Sequence, residues 1–264
     1  MNVIDIGEAP VRFVFLHGLF GQGRNWTTVA KKLLPASSLL VDLPNHGRSE
    51  WTPRFSYEEM ANDVADLLAT LSQPVCLVGH SMGGRVAMLA ALTHPEQIDR
   101  LVVEDTSPAD LAMREFSFYA DAMAKIPVDT LRTRTQARRL LAESVPDERI
   151  SGFLLQNLQP DDQGHWRWIL NLEVLSRDMD RIGVWPATSA RYDRPVLWVT
   201  GAESTRTSAE DIDVMKTLFP LTRHLRVKSA GHWVHADAPE IFVDALRAFT
   251  QTPVAGGLPG AAQE

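Results

Sequence analysis

The sequence predicts an α/β domain with a mostly parallel, doubly wound sheet and a helical cap inserted into it. Short, nearly continuous apolar runs alternate with segments of helical period, which is typical of a parallel sheet covered on both faces. This alternation stops between 107 and 194, where only helical stretches are found, and the strand signals resume near 195. With 264 residues the chain is long enough to bury the core that such a domain needs.

The elements follow in order from their patterns. Apolar runs predict six strands, at 12–17, 38–42, 75–79, 100–105, 195–201 and 224–231. Apolar residues at every third or fourth position predict helices at 25–34, 56–71, 82–94 and 238–250. The predicted organisation is an α/β core of 1–106 and 195–251, a helical cap of 107–194, and a disordered tail of 252–264, which is rich in small residues, Gly and Pro.

Composition excludes several classes of partner. The net charge of −7 argues against nucleic acid and anionic membranes, because both favour a basic surface. The single cysteine, Cys76, cannot form an internal disulfide, and we find neither a secretory signal nor an apolar run that could span a bilayer. We expect a cytoplasmic protein with a small-molecule substrate and no membrane partner; its oligomeric state is not indicated.

The stretch Gly79-His80-Ser81-Met82-Gly83 matches Gly-x-Ser-x-Gly, with a predicted strand before it and a predicted helix after it. In such a turn the serine backbone is strained, and a Cβ on the neighbouring glycines would clash. The turn presents the hydroxyl at a helix N-terminus, whose N–H groups favour developing negative charge. We therefore predict that Ser81 is a nucleophile.

Nucleotide, metal and other cofactor sites are not predicted. Gly79 and Gly84 have the glycine spacing of a phosphate-binding P-loop, but Arg85 and Val86 stand where its lysine and hydroxyl residue belong. The stretch "HWVH" lacks the glutamate of a zinc-hydrolase helix, and no Cys/His cluster is visible. The chemistry we expect needs no cofactor.

A serine hydroxyl needs a base, and that base needs an orienting acid. His232 lies between the last strand and the last helix, at the sheet edge that also carries Ser81, and we favour it over His235, which lies closer to the helix start. For the acid we favour Asp105, at the end of the strand after the nucleophile helix, with Glu203 as the alternative. Glu104 should point away from Asp105, because strand side chains alternate.

The expected oxyanion donors are backbone N–H groups. One is the N–H of Met82, which directly follows Ser81 in the sequence. The other is the N–H of Leu19 or of Phe20, in the turn after the first predicted strand, which the fold is expected to place over the serine. Phe20, His80 and Trp233 adjoin the same groups and are candidate substrate contacts, although a structural role is favoured for His80 as for the turn residues His17 and His46.

Four motifs, in the order "FLHGLFG", "VDLPNHGRS", "LVGHSMGG" and "GHWVHA", resemble the α/β-hydrolase fold superfamily, and within it a branch of small bacterial acyl-ester hydrolases with mitochondrial relatives. The resemblance covers residues 11–250. It implies a helical cap after strand six of the family's sheet and an acid after that same strand, which carries over to Asp105. The family's N-terminal antiparallel hairpin has almost no room before residue 11, so we expect the sheet to lack an edge strand.

These observations predict a cofactor-independent serine esterase for small to medium acyl esters. Cap aromatics (Trp166, Trp168, Trp185 and Phe116 or Phe118) are expected to roof an apolar acyl pocket.

Two alternatives stay open. An arginine at the position of Arg85, after the glycine pair, is also found in related cofactor-free lyases of menaquinone biosynthesis. In a lyase reaction Arg85 would bind an anionic group of the substrate. The scaffold is also compatible with a ligand-binding module that has no catalytic activity.

Overall fold

A central sheet organises the computed structural model, which describes residues 1–251 of the chain. The predicted disordered tail, 252–264, lies outside the described residues. The strands found in 1–251 are β1 (Asn2–Ile6), β2 (Val11–Leu16), β3 (Ser37–Asp42), β4 (Val75–His80), β5 (Ile98–Glu104), β6 (Leu158–Pro160), β7 (Trp166–Trp168), β8 (Val196–Gly201) and β9 (Thr222–Val227).

Seven of these described strands form the sheet, in the order β1-β3-β2-β4-β5-β8-β9. Only β1 runs antiparallel to its neighbour β3, and the remaining pairs are parallel. The carboxyl ends of the parallel strands therefore meet at one edge, where α/β sheets place their ligands. The expectation that the sheet lacks an edge strand is wrong, because the segment before residue 11 forms the edge strand β1, which pairs with β3.

Helices connect the strands and cover both faces of the sheet. Those found in residues 1–251 are α1 (Thr27–Leu33), α2 (Tyr57–Ala69), α3 (Met82–Thr93), α4 (Arg114–Ala124), α5 (Arg134–Ala142), α6 (Glu148–Leu155), α7 (Leu172–Arg177), α8 (Met179–Gly183), α9 (Asp211–Leu218), α10 (Val234–Asp237) and α11 (Pro239–Gln251).

Alternation along β2 shows how the two faces are built. Val14 and Leu16 pack with α2 and α3, whereas Phe13 and Phe15 pack on the opposite face with α1 and α11. The buried β4 carries apolar side chains to both faces, as a central strand of a doubly wound sheet must. The predicted fold class is confirmed.

The segment between β5 and β8 is not purely helical. It contains α4 to α8, but β6 and β7 pair as a small antiparallel hairpin. The sequence predicted no strand here, and that prediction is wrong. Each strand has only three residues, too few for a period-2 pattern to stand out.

A search of residues 1–251 for a helix with the length and apolarity of a membrane span finds none.

Candidate active site

Ser81 lies on the predicted sharp corner between β4 and α3. Its backbone has φ 52° and ψ −118°, a left-handed conformation that is strained for a residue with a Cβ. The neighbouring glycines permit the corner: a Cβ on Gly79 would lie 2.3 Å from the Gly83 carbonyl oxygen, and one on Gly83 would lie 2.4 Å from that of His17. The turn is thus held at a geometry that only this spacing of small residues allows.

Asp105 directly follows β5 and is fully buried. Its Oδ2 accepts a hydrogen bond from His232 Nδ1 at 2.7 Å. Its Oδ1 accepts one from the Gly201 backbone N–H at 3.0 Å. The structure therefore brings together His232 and Asp105, which are far apart in the sequence, and leaves the His232 Nε2 free of this carboxylate.

The alternative acid, Glu203, is exposed, and its backbone N–H donates to Ala230. Its neighbour Ser204 occupies the more informative position, because the Ser204 hydroxyl donates a hydrogen bond to Asp105 Oδ2. This hydroxyl stabilises the charge of the Asp105 carboxylate. The sequence analysis considered the adjacent Glu203 and did not identify Ser204.

His80 anchors the loop that carries His232. Its Nε2 donates to the His232 carbonyl oxygen at 2.9 Å, and the two ring centroids lie 4.6 Å apart. Burial holds the pKa of His80 well below its usual value, and the nearby His232 and His235 add to this effect, so the ring is neutral. The ring is buried and its Nε2 is hydrogen-bonded, which agrees with the structural role that the sequence analysis favoured for His80; contact with a substrate stays a prediction.

Glu104 and His235 form a second buried pair behind the first. Glu104 Oε1 accepts from the His235 backbone N–H at 2.8 Å and lies 2.9 Å from His235 Nδ1. The His235 ring also packs against Trp26, with centroids 4.3 Å apart. Glu104 and Asp105 therefore point to different histidines, as the alternation of strand side chains predicts. His235 has the packing role that the sequence analysis considered.

The loop after β2, residues 17–22, lies against the serine corner, and we call it the oxyanion loop after the donors that the sequence predicts there. A Cβ on Gly18 would come within 3.3 Å of Ser81 Cβ. Neither the Leu19 nor the Met82 N–H has an acceptor among residues 1–251, whereas the Phe20 N–H donates to His46 Nε2 at 3.3 Å. Of the two N–H groups that the sequence analysis considered in this loop, only that of Leu19 is left for a ligand.

His17 and His46 connect the oxyanion loop to the loop after β3 in a reciprocal way that the sequence analysis missed. His17 Nε2 accepts from the Leu43 N–H at 3.0 Å, and His46 Nε2 accepts from the Phe20 N–H. Each Nδ1 lies within 2.9 Å of a backbone carbonyl, that of Gly18 or of Pro44. Burial lowers the pKa of His17 and that of His46, the latter to about 3, so both rings are neutral and can accept.

Ser81 itself makes no side-chain hydrogen bond to any of the residues 1–251, His232 included. In unliganded enzymes the bond between nucleophile and base is often long and tightens only in the substrate complex. The structure thus brings the oxyanion loop and Ser81 into contact and joins His232 to Asp105. It does not show a hydrogen bond between Ser81 Oγ and His232 Nε2.

The Arg85 guanidinium is held by backbone carbonyls. Its Nη1 donates to the carbonyls of Ile182 and Gly183, at 3.2 and 3.0 Å, and its Nη2 donates to that of Ala109. The guanidinium is almost fully buried and also lies over the Tyr57 ring. These contacts tie α3 to the segments that enter and leave the cap, and they do not support an anion clamp.

The cap aromatics divide into different environments. Phe116 is buried and lies 6.4 Å from Phe20, measured between ring centroids, so the cap does meet the oxyanion loop through an aromatic pair. Phe118, the alternative to Phe116, is 48% exposed, so Phe116 is the member of this pair that packs inward. The three tryptophans named above are half-buried in the cap.

Phe20 and Trp233, two of the predicted substrate contacts, differ in accessibility. Phe20 is buried, whereas Trp233 is half-buried. Trp233 packs against Phe153 and under the guanidinium of Arg149, and these residues line a cavity of about 300 Å³ between cap and core. The cavity leaves Trp233 the more accessible of the two.

Comparisons with known proteins agree with this fold. Residues 13–245 match the sequence model of the alpha/beta hydrolase family. A protein of Danio rerio, named sn-1-specific diacylglycerol lipase ABHD11, is 37% identical over 95% of this chain and 81% of its own length. Esterase YbfF of Escherichia coli K12 is 32% identical over 89% of this chain and 91% of its own.

A solved structure titled marine microorganism esterase superimposes with a TM-score of 0.91. It is 29% identical in sequence, and the match covers 94% of this chain and 98% of that one.

Proposed function

The chain belongs to the alpha/beta hydrolase family and is of its esterase and lipase type, and we propose that it cleaves small to medium carboxylic esters through an acyl-enzyme on Ser81. The observation that carries the proposal is the 2.7 Å contact between His232 Nδ1 and the buried Asp105 carboxylate, at the sheet edge where β4 presents Ser81. A buried carboxylate on Nδ1 leaves Nε2 as the proton acceptor.

The proposed reaction has two halves. Ser81 Oγ attacks the ester carbonyl carbon while His232 Nε2 takes the hydroxyl proton, and the carbonyl oxygen becomes an oxyanion. The Leu19 and Met82 N–H groups donate to that oxyanion, each contributing about 3 kcal/mol to lowering the barrier.

The C–O bond to the alcohol then breaks, and His232 returns the proton to the leaving oxygen. Water, deprotonated by the same nitrogen, attacks the acyl-enzyme and releases the acid with Ser81 restored.

The test is a substrate panel of p-nitrophenyl esters from acetate to octanoate. A short-chain diacylglycerol is included because the Danio rerio relative is named as a lipase for that class. We expect turnover, with Ser81→Ala lowering kcat by about 10⁴-fold or more and abolishing labelling by a fluorophosphonate. Unchanged turnover in Ser81→Ala would refute the proposal.

Matched variants locate the base. His232→Asn and His235→Asn each remove an imidazole but keep an N–H that can donate to the paired carboxylate. We expect kcat to fall about 10³-fold or more in His232→Asn and to stay within about tenfold in His235→Asn. A fluorophosphonate that fails to label the wild type, together with absent turnover, would favour the ligand-binding alternative.

A further inference from the structure

Asn157 lies in the cap, between α6 and β6, and its side chain is fully buried. Its Nδ2 donates to the Phe20 carbonyl at 2.7 Å and to that of Leu154 at 3.2 Å. Its Oδ1 accepts from Gln22 Nε2 at 2.9 Å. One cap side chain therefore makes two hydrogen bonds to the oxyanion loop, on either side of Gly21, where no bulk water can replace them.

The residue that Asn157 holds is in an unfavourable conformation. Phe20 has φ 61°, in the left-handed region that residues with a Cβ avoid. Its N–H donates to His46 Nε2 and its carbonyl accepts from Asn157. Such strain, about 1 kcal/mol or more, persists only where the surroundings determine the backbone. Here the core supplies one of the two contacts and the cap supplies the other.

The strained residue adjoins the proposed oxyanion donor. The carbonyl of Gly18, which shares a peptide plane with the Leu19 N–H, accepts from Gly21 N–H at 2.9 Å and lies 2.8 Å from His17 Nδ1. Because a trans peptide is planar, fixing this carbonyl also fixes the Leu19 N–H on the opposite side. The turn is closed through Gly21, between the two residues that bond to Asn157.

We propose that Asn157 is a positioning residue, which holds the oxyanion loop in its active geometry and so makes assembly of the oxyanion hole depend on docking of the cap. The inference rests on the proposed function, since an oxyanion hole matters only if an acyl transfer takes place. A loop that relaxes from the left-handed conformation turns its N–H groups away from the transition state, so kcat falls more than KM changes.

The chain offers a matched control in Asn171, a second buried asparagine of the cap. Its Nδ2 donates to Asn45 Oδ1 at 2.9 Å, and Asn45 is also left-handed, with φ 65°. Asn171 thus has the same residue type, a similar burial and a cap-to-core hydrogen bond, but it contacts the loop after β3 and not the oxyanion loop. A merely structural role for Asn157 predicts similar kinetics for both alanine variants.

The experiment compares Asn157→Ala and Asn171→Ala with the full-length wild type. Measurements are Tm, kcat and KM for p-nitrophenyl butyrate, and the inhibition constant of a trifluoromethyl ketone, whose serine adduct carries an oxyanion. We expect Asn157→Ala to lower kcat about 10- to 100-fold and to weaken the ketone in parallel, with KM changed less than about threefold. Asn171→Ala should lower Tm but keep kcat within about threefold.

Equal losses of kcat in both variants, or a rise in KM without a loss of kcat in Asn157→Ala, would overturn the inference. Should Asn157→Ala not fold, Gln22→Met decides, because it removes the bond that orients the Asn157 amide; an unchanged kcat there rejects the role. Failure of the wild type to hydrolyse the ester at all would instead reject the proposed function, and this inference with it.

Discussion

His46→Gln should flatten the acid dependence of stability. His46 is buried as a neutral ring, with Nε2 accepting from the Phe20 N–H, and burial together with the neighbouring His17 lowers its pKa to about 3. The Oε1 of glutamine can take the place of Nε2 as acceptor, but it cannot bind a proton in this pH range. The substitution therefore removes the titration while keeping the hydrogen bond to the oxyanion loop.

The size of the effect follows from linkage. In the unfolded chain the pKa of histidine is about 6.5, so below that pH the unfolded state binds a proton that folded His46 does not bind. The stability from the neutral ring is fully present above pH 6.5 and is lost as the pH falls from there towards 3. At pH 5 this loss is about 2 kcal/mol for His46 alone.

His17 and His80 act in the same direction, because burial lowers the pKa of each. Each histidine adds up to about 1.4 kcal/mol per pH unit to the slope. Both rings therefore add to the loss of stability at acid pH, in the same direction as His46.

The measurement is urea unfolding followed by tryptophan fluorescence at constant ionic strength from pH 7.5 to 5. Relative to wild type, His46→Gln should lose about 2 kcal/mol less over that range. His165→Gln, at an exposed position in the cap, controls for the loss of one imidazole. Parallel pH curves for wild type and His46→Gln would refute the reasoning, since they would mean that His46 binds its proton equally in both states.

Two further predictions concern residues around the site. Ser204→Ala removes the hydroxyl that donates to Asp105 Oδ2, and such charge-assisted bonds contribute about 1.5–3 kcal/mol. We therefore expect kcat for p-nitrophenyl butyrate to fall about tenfold, with little change in KM. An unaltered kcat would mean that Gly201 and His232 suffice to hold the carboxylate. Arg85→Met removes three hydrogen bonds to backbone carbonyls. Urea unfolding should therefore show a free energy of unfolding lower by about 2–4 kcal/mol, while kcat for the ester stays within a few-fold of wild type. A folded variant without ester turnover would instead favour a role for Arg85 in the reaction.

Several features could be predicted from the sequence because neighbouring residues impose them. The corner at Ser81 depends on glycines within four residues of it, whose missing Cβ atoms the strained turn requires, so the pattern Gly-x-Ser-x-Gly carried most of the information. The alternation of buried strands with amphipathic helices likewise predicted the sheet and both of its covered faces. The opposite directions of Glu104 and Asp105 followed from strand geometry alone.

Contacts between distant segments could not be read in this way. The sequence favoured Asp105 over Glu203, but the contact of Asp105 with His232, and the hydroxyl of Ser204 on the same carboxylate, depend on where three separate loops meet. The small hairpin of the cap also escaped prediction, because its strands are stabilised by each other and by the packing around them and not by a pattern of their own.

By itself the sequence determined the fold class, the position of Ser81 and a short choice of partners for it, because each of these rests on backbone geometry that nearby residues impose. Only the tertiary structure decided that two histidines link neighbouring loops reciprocally and that Asn157 reaches from the cap to the carbonyl of Phe20. The reason is physical: a buried polar side chain takes whichever partner the folded chain brings within about 3 Å, and that distance is a property of the packing of the whole chain.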